Sequence, residues 1–212
     1  MNYKSILFFL GLNCLIITCF SILNILYSLY FDFIIDINSY LITLIISALI
    51  GGSFIFLGKN ENKNISLTEQ ILFILLSFIF IPVLISIPYY LSIYNLSFLS
   101  SYFESISGFT ATGFSILTNI EKIDEPLLLW RSSSQWLGGL LFLIATIGTI
   151  GSKQTKIKPA YLISGGASGR NFYSNFNFNF IKIFLIYFFF TILIIFLYKA
   201  ANLRLFDSFN LA

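Results

Sequence analysis

Histidine is absent from the 212 residues, and charge is scarce: twelve Lys and Arg and nine Asp and Glu make up 10% of the chain. Soluble domains carry about 25% charged residues and coat themselves with them. A chain that is 58% hydrophobic and 19% aromatic cannot do so. Soluble-enzyme classes are excluded, and the abundance of Phe, Ile and Leu excludes disorder. Without histidine there is no His-based acid–base catalysis, no Ser-His triad and no ligand set for most transition metals. The two cysteines, Cys14 and Cys19, sit five apart in one apolar run. On a helix turning about 100° per residue they face different ways, so they can neither chelate nor cross-link with each other. What remains is the composition of an all-α, polytopic membrane protein.

Crossing a bilayer core about 30 Å thick takes about 20 apolar residues in a helix. Five stretches have that length: residues 5–31, 40–57, 67–93, 127–150 and 180–198. The first is too long for a secretory signal, and no small-x-small cleavage site follows it. Asn13 and Asn24, inside it, are read as helix–helix hydrogen-bonding residues. Basic residues set the orientation. With the N-terminus in the cytoplasm, Lys4, Lys59, Lys63, Lys153, Lys156, Lys158, Arg170 and Lys182 lie inside, and Lys122, Arg131, Lys199 and Arg204 lie outside. The acids run the other way, with only Glu61 and Glu69 inside.

Between the third and fourth spans lies a segment that is neither a clean span nor a soluble loop. As a helix, residues 100–109 would cover about 15 Å, half the hydrocarbon thickness. Gly108 and the run Thr110-Ala-Thr-Gly113-Phe114 would then break it and turn the chain back out. Non-helical backbone at such depth is tolerated only against protein or a water-filled cavity. The carbonyl end of a half-helix favours a cation at the membrane centre. An extended stretch before Gly113 can offer successive carbonyl oxygens in place of an ion's water shell. Gly113 suits that place because a residue lacking Cβ adopts the backbone angles required. Spacing alone does not separate this reading from an external loop rich in Ser, Thr and Gly.

Two blocks carry a family resemblance. Ser105-Ile-Ser-Gly108-Phe-Thr-Ala-Thr-Gly113 resembles the first pore-loop signature of the Trk/Ktr/HKT superfamily of potassium transporters. Trp130-Arg131-Ser-Ser-Ser-Gln135-Trp136-Leu-Gly138-Gly139 resembles the block opening the next helix in its TrkH branch, which the two leading helices also suit. The resemblance implies one re-entrant pore helix with a filter loop. Gly113 then matches the filter glycine, and Thr110, Ala111 and Thr112 match the residues whose carbonyls line the ion path. Ala111 stands where Thr is commoner. A carbonyl coordinates whatever its side chain, so the change touches only a hydroxyl contribution. Gly108 and Glu104 belong to the pore helix. Arg131 is expected to pair with Glu104 structurally, the alternative being an arginine snorkelling to headgroups. Gly138 and Gly139 read as close-packing positions.

The expected organisation is two leading helices in 1–66, a first pore unit in 67–152, a cytoplasmic connector in 153–179 and the start of a second unit in 180–212. The glycine-rich run 164–170 lacks the Gly-Lys-Ser/Thr ending of a phosphate loop and is read as connector. Residues 171–180 alternate like a strand but run straight into an apolar span, which favours an interfacial aromatic segment. The superfamily builds its pore from four such units, so the chain reads as the N-terminal portion of a transporter, truncated or completed by partner chains. The resemblance further implies potassium as substrate, no cofactor, an inner-membrane location, a dimer, and control by a cytosolic nucleotide-binding regulatory subunit; it implies no nucleic-acid partner and no enzyme activity. Rival readings are a non-conducting membrane assembly protein that keeps the fold, and an intramembrane enzyme, which lacks a catalytic-looking Asp, Glu or His within any span.

Overall fold

A computed structural model describes residues 3–33, 37–59, 66–117, 123–150 and 172–212. The basic patch Lys153, Lys156 and Lys158 and the run 164–170 lie outside the described residues. Every element among the described residues is a helix: α1 (Tyr3–Tyr30), α2 (Ile37–Gly58), α3 (Leu67–Leu91), α4 (Phe98–Phe109), α5 (Glu125–Ile150), α6 (Phe172–Ala200) and α7 (Leu205–Leu211).

Four of these, α1, α2, α3 and the 181–200 part of α6, are long and apolar enough to cross a membrane. The fourth expected span, α5, has the length, at 26 residues, but its first half carries Arg131, three serines and Gln135. Arg131, Ser132 and Ser134 meet protein, as described below, so much of the low apolarity of α5 reflects what it packs on. Helical backbone begins at Phe172, inside the stretch assigned to the connector, and runs unbroken into the span. A run of alternating Asn and Phe therefore continues the helix of its neighbour, because local alternation yields to the cooperative extension of an existing helix.

Small residues let α1 and α2 lie close together. A Cβ on Gly11 would stand 2.9 Å from the Gly51 carbonyl oxygen. Polar side chains add hydrogen bonds where no water competes. Thr18 Oγ1 lies 2.8 Å from Ser47 Oγ, joining α1 to α2. Asn13 Nδ2 donates to Ser77 Oγ on α3 at 3.2 Å. Asn24 is fully buried and donates back to the Phe20 carbonyl of its own helix at 3.1 Å. Cys14 is buried and Cys19 exposed, so the two do sit on different faces of α1.

At the start of α3 a capping box sets the helix boundary: Glu69 N–H donates to Ser66 Oγ and Ser66 N–H to Glu69 Oε2. Pro82 and Pro88 lie inside α3 without ending it. The core gathers where α1 to α5 meet, around Tyr40, Ile81, Ile85, Tyr89, Phe109 and Trp130. Trp130 Nε1 donates to the Ile85 carbonyl at 3.0 Å, which satisfies the indole in a site only 2% exposed.

Candidate functional site

Helix α4 is capped by Ser97, whose hydroxyl accepts from the Ser100 N–H at 3.2 Å. Twelve residues give it about 18 Å of length. Its neighbours measure its depth. Near its start the Phe98 ring lies 6.4 Å from Tyr90, close to the C-terminal end of α3. At its end the Phe109 ring lies 5.3 Å from Phe78, near the middle of α3. The Phe109 carbonyl is pressed against Gly138, near the middle of α5: a Cβ there would come within 1.6 Å of that oxygen. The short helix therefore runs antiparallel to α3 and stops at the midpoint of both flanking helices.

The break falls two to three residues later than Gly108. Gly108 is helical and buried, and a Cβ on it would meet Ser134 Oγ at 2.8 Å. It serves close packing against α5, and the reversal lies at Thr110 and Ala111. Thr110 closes the helix with φ −85° and ψ 0°, and Ala111 takes φ +54°. An L-residue pays roughly 1 kcal/mol for that left-handed conformation. Gly113 follows at φ +82°.

The amides of the turn are all spent on the end of the pore helix. Thr110 N–H donates to Ile106 at 2.8 Å, Ala111 to Gly108 at 2.9 Å and Thr112 to Ser107 at 3.1 Å. In a planar trans peptide the carbonyl points opposite to the following N–H. The Thr110 and Ala111 carbonyls are thus turned away from the helix end, on the exposed side of the chain. Among the described residues nothing donates to the carbonyls of Thr110, Ala111 or Thr112. The hydroxyls take no part on that side, since Thr110 Oγ1 donates back to Ile106 at 2.7 Å. The side chain at position 111 is therefore peripheral to what the backbone offers.

Beyond the turn the chain is held from behind. Arg131 Nε lies 2.8 Å from Glu104 Oε1, and its Nη2 reaches the carbonyls of Gly113 at 3.4 Å and Phe114 at 3.3 Å. Glu104 is fully buried. Its carboxylate accepts in addition from Ser115 Oγ at 2.9 and 3.1 Å and from the Ile116 N–H at 3.0 Å. Ser107 Oγ donates to the Phe114 carbonyl as well. An acid of α4, an arginine of α5 and the returning segment 113–116 thus form one network. The Gly113 carbonyl faces that network, while those of Thr110 and Ala111 point away from the end of α4.

Ser107 and Ser115 escaped the sequence reading. A serine in a Ser/Gly-rich run carries no signal of which hydroxyl will bridge and which, like Ser105 donating to Ser101 at 2.6 Å, will bond its own helix.

Neutralising Glu104 tests the network. Glu104→Gln leaves Arg131 without its charge partner and turns an amide toward donors, so it is expected to lower stability by about 2 kcal/mol. Thermal unfolding of the variant in detergent measures this; an unchanged midpoint would mean that the ion pair holds nothing.

Residues 36–204 match the family model of TrkH, described as a cation transport protein. The chain belongs to the TrkH family. Among its relatives, an uncharacterized cation transporter of Methanocaldococcus jannaschii is 28% identical over 211 residues, which is 99% of this chain and 43% of that protein. The Trk system potassium uptake protein TrkI of Halomonas elongata is 38% identical over 88 residues, 41% of this chain and 18% of that one. The chain spans less than half the length of either relative. The crystal structure of the potassium transporter TrkH from Vibrio parahaemolyticus has the same fold, with a TM-score of 0.71 at 21% identity, covering 99% of this chain and 42% of that one. Membership of the TrkH family thus rests on the sequence match, and the solved structure shares the all-helical membrane fold.

Proposed function

We propose that the chain forms the first pore unit of a potassium uptake transporter and that the outward backbone carbonyls of the 110–113 loop, those of Thr110 and Ala111, coordinate the passing ion. One observation supports this above the others: the short helix stops at the midpoint of its two neighbours, and the turn that follows directs carbonyls away from it on an exposed face. At that depth, outward carbonyls next to a helix C-terminus stabilise a dehydrated cation and nothing anionic. Thr110 and Ala111 supply the outward oxygens. Gly113 supplies the left-handed backbone that lets the chain climb past Arg131, and Glu104, Gly108 and Arg131 hold the loop in place.

A closed coordination cage needs more loops than this one, so the remaining units come from further sequence or from partner chains. The chain would sit in the inner membrane with its N-terminus in the cytoplasm, as part of a dimer under a cytosolic nucleotide-binding regulatory subunit. In that orientation the connector lysines Lys153, Lys156 and Lys158 would meet that subunit or anionic lipid.

Rubidium uptake by a potassium-starved host tests the reading. Expression of the complete transporter containing this unit is expected to restore uptake. Normal membrane insertion without uptake would favour a non-conducting assembly protein that keeps the fold.

A further inference from the structure

Helix α1 precedes the pore unit, yet its last turn reaches two elements at once. The Tyr27 hydroxyl donates to Glu125 Oε2 at 2.7 Å, at the first residue of α5. The Tyr27 ring lies 5.9 Å from Phe206, in the first turn of α7. Arg204, immediately before α7, forms a two-pronged pair with Asp207 at 2.8 and 3.1 Å and lies within electrostatic reach of both Glu125 and Tyr27. One turn further on, Ser132 Oγ of α5 donates to Asn210 Oδ1 at 2.7 Å, and Ser208 between them is fully buried. The α7 segment is thus docked on the outer part of α5, with a residue of α1 bridging the two.

We propose that Tyr27 is a positioning residue that registers the opening of the second pore helix against the first pore unit. The proposal rests on the reading of 180–212 as the start of a second unit, in which Leu205-Phe-Asp-Ser-Phe-Asn-Leu-Ala212 resembles the opening of a pore helix. Tyr27 acts in series: its hydroxyl fixes the ring on Glu125, and the ring fixes Phe206. A filter assembled from several loops tolerates little error in their relative depth, so a residue tying one unit to the next bears on ion preference. Glu125 and Asp207 are committed to this junction by Tyr27 and Arg204, which distinguishes them from carboxylates free to gather cations at the mouth.

Backbone amide exchange on the full 212-residue chain in lipid nanodiscs reads the docking directly, without transport. Tyr27→Phe removes one oxygen, and Phe206→Ala removes the ring contact while leaving α1 and α5 untouched. Each is expected to speed exchange across residues 205–211 about tenfold relative to α3, through easier local opening. Because the two contacts act in series, the double variant is expected to be no faster than the single ones. In the complete transporter the same variants are expected to lower the preference for rubidium over sodium severalfold at unchanged protein amount. Exchange unchanged in both variants, additive effects, or a loss of protein amount with ion preference intact would each overturn the proposal. If Tyr27→Phe does not accumulate, Phe206→Ala answers alone, by the same two readouts. Failure of the exchange result leaves the filter reading standing, because that reading does not depend on α7.

Discussion

Gly113→Asp in the complete pore is expected to abolish rubidium uptake while the protein inserts and accumulates as before. The separation of the two effects follows from the geometry. A Cβ at position 113 meets no atom within 4 Å, so no steric clash forces the fold apart. The backbone there has φ +82°, and aspartate is among the residues that tolerate left-handed angles best, at a cost of roughly 1 kcal/mol. Stability is therefore nearly spared. Function is not, because the new carboxylate sits on the exposed side of the turn. There it would bind a cation tightly instead of passing it on, and it would compete for Arg131, only 3.4 Å from the Gly113 carbonyl. Conduction requires binding weak enough to release. Uptake measured beside the amount of membrane-inserted protein checks this; unchanged uptake would remove the 110–113 loop from the ion path.

Gly138→Ala is expected to do the reverse and break the structure. Its Cβ would stand 1.6 Å from the Phe109 oxygen and 2.6 Å from the carbonyl carbon, both backbone atoms at the tip of the pore helix. No side chain can swing away to make room. Either α5 retreats or α4 withdraws, and in both cases the buried Glu104–Arg131 network is pulled out of line. A loss of at least about 3 kcal/mol is expected, at the upper end of overpacking effects. Gly52→Ala is the matched control, since its Cβ would meet nothing within 4 Å. There the gain in helix propensity, about 1 kcal/mol, is expected to leave stability unchanged or raised. Thermal unfolding of both variants in detergent separates them; equal midpoints would show that the close approach of α4 to α5 is not what the helix end depends on.

Much of this was legible from residues alone because lipid imposes simple rules. Apolar run length placed the helices, and the shortness of the segment around Ser105 set it apart from a span. Cys14 and Cys19 followed from helical rotation. Three things were not legible, each for a physical reason. Gly108 and the run from Thr110 to Phe114 were read together as the break, because glycine signals a turn in isolation; within that stretch the missing Cβ of Gly108 makes room for Ser134, and the reversal falls on the run, at Ala111. Propensity lost to tertiary packing. The start of α6 at Phe172 was hidden by local alternation, since a strand-like period carries no information about an adjoining helix that can extend. The bridging roles of Ser107, Ser115 and Tyr27 depend on partners 7 to 98 residues away in sequence. No local pattern encodes them.

The most direct test of the carbonyl loop is an anomalous-difference map of crystals of the complete transporter grown with rubidium or thallium in place of potassium. Density is expected on the pore axis beside the outward carbonyls of Thr110 and Ala111, at the depth of Phe109 and Gly138. A strong ion peak elsewhere in the membrane with none at this loop, or a loop lying flat at the outer surface, would contradict it.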